Sequence, residues 1–222
     1  MRAIVLLSGG LDSATLLAIA RSSGREVFTL TFDYGQRHAV ELQMARALSA
    51  SQGAADHLEM EIDLTVLGGS ALTDSIDVPR NSVDDEGIPV TYVPARNMIF
   101  LSIATAYAEV IDADEVWIGA NAVDYSGYPD CRPEFIEAFQ AVVDVGTKSG
   151  VERSRPQIIA PLIEMSKGEI IEAGIDLGLD YSETSSCYDP DDDGACGECD
   201  ACLIRKRGFE EAGIDDPTRY QY

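Results

Sequence analysis

The chain opens on an unbroken apolar run, "RAIVLL" (2–7), that stops at two glycines. A run of that length without alternation predicts a strand covered on both faces. "SATLLAIARS" (13–22) then carries apolar residues at helical spacing and stops near Gly24, which predicts a helix. The alternation continues with "EVFTLTFDYG" (26–35) as a second buried strand, "AVELQMARALSAS" (39–51) as a helix, and "ADHLEMEID" (55–63) as a third strand of alternating polarity. Strand–helix–strand order of this kind predicts a parallel sheet with right-handed crossovers. Residues 64–90 break the rhythm with Gly, Pro and acid, and predict a long, partly mobile loop.

Order returns with "NMIFLSIATAYAEVI" (97–111), a strongly apolar helix, and "EVWIGA" (115–120), a strand. The irregular "NAVDYSGYPDCRPEF" (121–135) leads into a helix around 133–146, and "PQIIAPL" (156–162) predicts the last strand. "SKGEIIEAGIDLG" (166–178) opens on Ser166 and Glu169, the spacing of a capping box. Past 180 the chain is rich in cysteine and acid, and a short helix near 199–212 closes it. The pattern therefore predicts an α/β fold: a Rossmann-like parallel sheet with helices on both faces over 1–180, and a small cysteine-bearing lobe over 181–222.

Length and composition refine this picture. The 222 residues, 45% hydrophobic, suffice for one sizeable core plus an appendage. No apolar run is long enough to span a bilayer, and "MRAIVLLSGG" reaches its glycines too soon for a secretory signal, so a cytoplasmic protein that meets no membrane is expected. Sixteen Lys plus Arg against 39 Asp plus Glu give a net charge of −23, and only Lys148, Lys167 and Lys206 are lysines. Scarce lysine with acid spread along the whole chain suggests a halophilic cytoplasm, where salt screens such a surface within a few ångströms. No basic face is visible, which argues against direct binding of nucleic acid.

Two constellations carry chemistry. Ser8, Gly9, Gly10, Asp12 and Ser13 fall where the first strand turns into the first helix. Unpaired amides, the positive end of a helix and two glycines make that turn a cradle for phosphate or pyrophosphate. It lacks the lysine of a P-loop and the spacing of a dinucleotide fingerprint. The second constellation is Cys187-x8-Cys196-x2-Cys199-x2-Cys202. Four thiolates without a nearby histidine suit a closed, structural tetrahedral zinc site; an iron–sulfur cluster or a redox pair uses similar spacing.

The string "SGGLDS" (8–13) resembles the pyrophosphate loop of the PP-loop ATPases, also called N-type ATP pyrophosphatases. With "VPARN" (93–97), "DYSGYPDCRPEF" (124–135), "SCYDP" (186–190) and the run "CGECDACLIRKRGF" (196–209), nearly the full chain closely resembles the 7-cyano-7-deazaguanine synthase family. Other PP-loop enzymes, tRNA thiolases and lysidine-type ligases above all, compete with this reading but need a basic surface or an added RNA-binding module. A zinc-stabilised nucleotide sensor would not need the polar 124–135 loop.

The resemblance implies a C–N bond-forming ligase that uses ATP and ammonia to convert 7-carboxy-7-deazaguanine to its nitrile. The carboxylate is activated and amidated, then activated again and dehydrated, in the biosynthesis of queuosine or archaeosine. It further implies Mg²⁺, one structural Zn²⁺ held by Cys187, Cys196, Cys199 and Cys202, and a homodimer. Nucleotide contacts are implied over Leu6, Leu7, Ser8, Gly9, Gly10, Leu11, Asp12, Ser13, Ala14, Thr15 and Leu16, with Phe32 and Tyr34 beside the adenosine. Asp12 (near Mg²⁺), Ser13, Arg96 and Lys167 are the implied catalytic groups, with Asn97 beside Arg96. Lys167 is either a phosphate clamp or a solvated lysine at a helix start. Asp124, Tyr125, Ser126, Tyr128, Asp130 and Arg132 would form the deazaguanine pocket, Asp130 accepting from the guanine-like edge. His38 and His57 read as ordinary histidines, and Cys131 as a small pocket-lining residue rather than a nucleophile.

Overall fold

The computed structural model describes residues 1–36, 40–82, 87–122, 127–153 and 155–221. Its strands β1 (Arg2–Leu6), β2 (Glu26–Asp33), β3 (Asp56–Glu61), β4 (Glu115–Trp117) and β5 (Gln157–Ile159) form one sheet. All pairings are parallel, in the order β3-β2-β1-β4-β5. The first strand is thus central, and the order reverses direction beside it. In open sheets of this kind the crevice at that switch point, beyond the carboxyl ends of the strands, is where ligands bind.

Strand periodicity decides which helices cover which face. Ala3, Val5 and Leu7 share one apolar cluster with α1 (Leu11–Ser22), α2 (Val40–Ser51), α6 (Lys167–Asp176) and α7 (Asp200–Ala212). Ile4 points the other way, into a cluster with Leu101 and Ala104 of α3 (Arg96–Ile111) and Phe139 and Val143 of α4 (Pro133–Gly146). Ala3, Ile4 and Val5 are wholly buried, as a doubly covered strand requires. Among the described residues β3 pairs only with β2 and is half-buried, the position in which alternating polarity is stable. No helix among the described residues is long and apolar enough to cross a membrane.

Three features differ from the sequence pattern. α1 begins at Leu11, two residues earlier than its apolar spacing suggests, because Gly10 supplies an extended N-cap. A further helix, α5 (Lys148–Arg153), follows α4 directly. Its marker is Gly150: a Cβ there would lie 2.2 Å from the Val143 carbonyl oxygen, so the glycine permits close packing on α4. The 64–90 segment forms no helix or strand among its described residues, yet it is anchored rather than loose. Leu64 and Leu72 enter the α3-side core, Ala71 and Val78 pack on the cysteines, and the Asn81 amide donates to the Glu198 carbonyl at 2.9 Å.

The C-terminal segment is fastened to the sheet domain by apolar and polar contacts alike. Tyr181 meets Phe209 of α7 edge to face, ring centroids 5.6 Å apart. Arg205 is 2% exposed and donates to the Tyr181 carbonyl (3.0 Å), the Thr184 hydroxyl (2.8 Å) and the Asp216 carboxylate (3.1 Å). A buried guanidinium satisfied by several acceptors fixes its neighbours strongly, since each lost partner would leave buried charge uncompensated.

Candidate active site

The glycine loop is shaped from within. The Ser8 amide donates to the Ser13 hydroxyl oxygen at 3.1 Å, and the Ser13 hydroxyl donates to the Gly10 carbonyl at 3.0 Å. The helical ladder of α1 starts with the Ala14 amide on the Gly10 carbonyl (3.0 Å). The amides of Leu11, Asp12 and Ser13 therefore have no helical acceptor and stand at the positive end of the helix. Gly9 has φ +85°, and a Cβ on it would lie 2.4 Å from the Glu41 carbonyl oxygen. Its glycine character serves the approach of α2 beneath the loop. Gly9→Ala is expected to cost about 2–5 kcal/mol through left-handed strain and overpacking, lowering the melting temperature by roughly 10 °C. An unchanged melting curve with lost nucleotide binding would instead make Gly9 a phosphate contact.

Lys167 and Asp12 form the loop's charged partner. Nζ donates to both Asp12 carboxylate oxygens, at 2.7 and 2.9 Å. Lys167 is only 8% exposed, so it is no solvated helix-start lysine. The capping box of α6 is present, Ser166 accepting from the Glu169 amide and Glu169 from the Ser166 amide. Asn121 steadies the approach to α6 by donating to the Leu162 and Met165 carbonyls.

Both groups line a cavity of about 320 Å³ that runs from the loop to the cysteine segment, a size suited to small ligands. Its far wall is built around Arg96 at the start of α3. The guanidinium lies 5.7 Å from the Tyr34 ring centroid and donates to the Tyr34 hydroxyl at 3.3 Å. Phe32 and Phe100 stack beside it with centroids 4.0 Å apart. Tyr128 shares a hydrogen bond with Thr91 (2.9 Å), and burial raises its pKa. Burial, followed by the Asp130 charge, pushes the Cys131 thiol up to about 11. Cys131 thus stays a thiol at neutral pH, against a nucleophilic role.

Two carboxylates line the cavity among the described residues, Asp12 and Glu41. Burial, partly offset by the Arg96 charge, pushes Glu41 up to about 7. Sequence pattern gives no hint of this residue, because an acid in the first turn of an amphipathic helix ordinarily just favours the helix dipole.

Several expected contacts land elsewhere. Ala14, Thr15 and Leu16 are 0% exposed and do not line the cavity. Successive helix residues rotate by about 100°, so these three turn into the core; Thr15 meets the Tyr181 hydroxyl at 2.7 Å. Asp130 does not line the cavity; its carboxylate accepts the Asn97 amide (3.0 Å) and so caps the start of α3. Asn97 in turn donates through Nδ2 to the Asp130 carbonyl (3.1 Å) and to Cys131 Sγ (3.2 Å), binding the two strings "VPARN" and "PDC" together. Arg132 is exposed at the start of α4 and also lies off the cavity. Leu6, Leu7, Ser8, Gly10, Leu11, Asp12, Ser13, Phe32, Tyr34, Arg96, Asn97, Tyr128, Cys131 and Lys167 do line it. Asp124, Tyr125, Ser126 and His38 lie outside the described residues.

Sequence reading missed Glu41, Phe100, Asn121, Tyr188 and Arg205 as cavity residues. Tyr188 and Arg205 belong to the cysteine-bearing segment, which therefore walls the cavity as well as closing the chain. The Ser185 amide donates to the Gly9 carbonyl at 3.0 Å, and Cys187 directly precedes Tyr188. His57 bonds Thr29 at 2.8 Å through Nδ1 on the edge strand, away from the cavity.

The sulfurs of Cys187, Cys196, Cys199 and Cys202 lie within 4.8 Å of one another, and all four residues are buried. Tetrahedral zinc with Zn–S near 2.3 Å places sulfurs about 3.8 Å apart, and Cys196 and Cys202 are 4.0 Å apart. Hydrogen bonds from Cys187, then Cys202, push the Cys199 thiol down to about 2, while the contact with Cys199, aided by burial and opposed by Cys202, raises Cys187 to about 12. Clustered thiols can all ionise only with a cation among them, so the donor set fits a metal.

A parallel sheet with a lysine-free glycine loop at its switch point defines an α/β enzyme of the PP-loop type. The chain belongs to the family of queuosine biosynthesis protein QueC, whose model matches residues 2–213. It is 58% identical to the 7-cyano-7-deazaguanine synthase of Hydrogenovibrio crunogenus over 221 residues, covering 99% of this chain and 95% of that one. It is 59% identical to the synthase of the same name from Cupriavidus necator over 222 residues, covering 99% and 97%. Among solved structures it is similar to NMN synthetase from Francisella tularensis, with TM-score 0.53, 15% identity, and coverage of 96% of this chain and 77% of that one. It is also similar to a predicted tRNA methyltransferase subunit from Methanocaldococcus jannaschii, with TM-score 0.51, 14% identity and coverage of 100% and 92%. At that identity the two structures speak for the fold alone.

Proposed function

We propose that this chain converts 7-carboxy-7-deazaguanine, ammonia and two molecules of ATP to 7-cyano-7-deazaguanine. The observation that carries the reading is one cavity joining a pyrophosphate cradle to an aromatic pocket around Arg96, in a chain with near-full-length relatives of that name. A carboxylate is a poor acyl donor, and transfer to AMP gives it a good leaving group. In this reading the amides of Leu11, Asp12 and Ser13 and the Lys167 ammonium hold the pyrophosphate that departs. Arg96 meets the charge that develops at the substrate carboxyl and α-phosphate. The rings of Tyr34, Phe100 and Tyr128 give planar surfaces for the two heterocycles.

Asp12, about one-third exposed toward the cavity, retains lone pairs beyond those bonded by Lys167 and so fits a Mg²⁺ carried in with the triphosphate, which would neutralise phosphate charge. Zinc held by the four cysteines would tie the 181–222 lobe to the 1–180 domain and supply no step. The working unit is a cytoplasmic homodimer that contacts only small molecules. Exchange of labelled pyrophosphate into ATP tests the reading. Exchange that depends on 7-carboxy-7-deazaguanine is expected, and its absence with this acid would overturn it.

Adaptation to salt belongs to the same proposal. With 16 cationic and 39 anionic side chains, self-repulsion should destabilise the fold as screening weakens. The melting temperature is expected to fall as salt is lowered from the molar range to a few millimolar. A flat profile would leave the acidic surface without that explanation.

A further inference from the structure

The nitrogen of the product reaches the site as ammonium or ammonia and ends without a hydrogen, so protons must have somewhere to go. Resting on the synthase reading, the steps balance as follows. The acyl-adenylate and NH₄⁺ give the carboxamide, AMP and two protons. The amide oxygen then attacks the α-phosphorus of a second ATP, releasing pyrophosphate and leaving a protonated O-adenylyl imidate. Loss of AMP and two protons from that imidate forms the C≡N bond. Four N–H protons therefore leave per nitrile, and none of the steps supplies a strong base.

The cavity wall offers few acceptors. Arg96, Lys167 and Arg205 are cations, and Asp12 is held at both oxygens by Lys167. Tyr34, Tyr128 and Cys131 are neutral groups whose ionisation burial opposes. Glu41 differs from all of these. It lies in the first turn of α2, its own carbonyl pressed beneath Gly9 of the loop, and its side chain lines the cavity. Nothing among the described residues hydrogen-bonds its carboxylate. Among the described residues, the groups facing it are Arg96 from α3 and Tyr34 from the end of β2, with Asp12 and Lys167 on the same cavity wall as the loop. A carboxylate with no hydrogen-bond donor among the described residues is a liability in a cavity that must admit triphosphate and a substrate acid, unless a cationic or proton-bearing group also has to be received.

We propose that Glu41 is the general base that draws ammonium into the cavity and takes the protons from nitrogen as the amide and then the nitrile form. Its raised pKa, about 7, suits a base working near neutral pH. Because the carboxylate form accepts the proton, the rate should rise with pH through about 7.

The test compares wild type with Glu41→Gln and Glu41→Asp in two assays: acid-dependent pyrophosphate exchange without ammonium, and nitrile formation with ammonium across pH 5.5–9. Exchange requires no proton removal. Glu41→Gln is expected to lower nitrile formation about 10²–10⁴-fold, with a much smaller effect on exchange. It should also lose the limb near pH 7, keeping only the rise due to free ammonia, and Glu41→Asp should recover part of both. Nitrile formation within a few-fold of wild type in Glu41→Gln would overturn the inference. A parallel fall of exchange and nitrile formation would do so too, by making Glu41 a binding group. Absence of acid-dependent exchange in wild type would overturn the synthase reading itself, and is recognisable without any variant.

Discussion

Lys167→Met is expected to lower acid-dependent pyrophosphate exchange by about 10²–10³-fold, the usual consequence of deleting one preorganised electrostatic contact to a transition state. The position of Nζ is fixed from three directions. Its stem crosses Gly208 of α7, where a Cβ would lie 2.3 Å from Lys167 Cγ. Glu211 of α7 accepts from the Ser166 hydroxyl (2.6 Å) and from the Gly168 amide (3.1 Å), setting the start of α6. Asp12 receives the ammonium with both oxygens. Methionine keeps the buried stem and removes the charge, leaving the Asp12 carboxylate to repel the triphosphate. Asp12 faces the open cavity, so water can solvate it, and the melting temperature should move by no more than roughly 5 °C. Exchange at the wild-type rate would reduce Lys167 to a helix-start residue.

Removing the metal should have a broader effect. If the four cysteines hold zinc as proposed, Cys199→Ser, or treatment with a strong chelator, is expected to release it, abolish exchange, and lower the melting temperature by about 10–20 °C. Structural zinc contributes on the order of 10 kcal/mol to small domains, and half of that suffices for such a shift here. Activity is lost together with order because the cysteine segment is a wall of the cavity. Ser185 bonds the Gly9 carbonyl, and Tyr188 directly follows Cys187 of the cluster. Asp12→Asn supplies the contrast: exchange should collapse while the zinc content stays at one per chain. Zinc loss without change in melting temperature would mean the cysteines hold nothing together.

The parts of the site legible in the sequence are those in which one local rule decides the geometry. Three consecutive buried residues in β1, glycines at its end, Ser166 and Glu169 three apart, and four cysteines at tight spacing each specify a structure without distant help. Extending the loop's contacts through Ala14, Thr15 and Leu16 fails because a helix turns its side chains away while the sequence runs on. Asp130 looked like a base reader in a polar loop, and its real partner is the amide of Asn97, 33 residues upstream. α5 escaped notice because Gly150 lowers helix propensity, and its benefit is visible only against Val143. Glu41 needed the third dimension altogether: only the closure of α3 over the sheet brings Arg96 and Tyr34 against it and shields it from much of the solvent.

The most direct test of nitrile synthesis is the ratio of AMP to product when purified protein is given 7-carboxy-7-deazaguanine, ammonium chloride, Mg²⁺ and ATP. Two AMP formed for each 7-cyano-7-deazaguanine, with the carboxamide rising and then falling, is the expected result. One AMP for each molecule of carboxamide, with no nitrile accumulating, would contradict it.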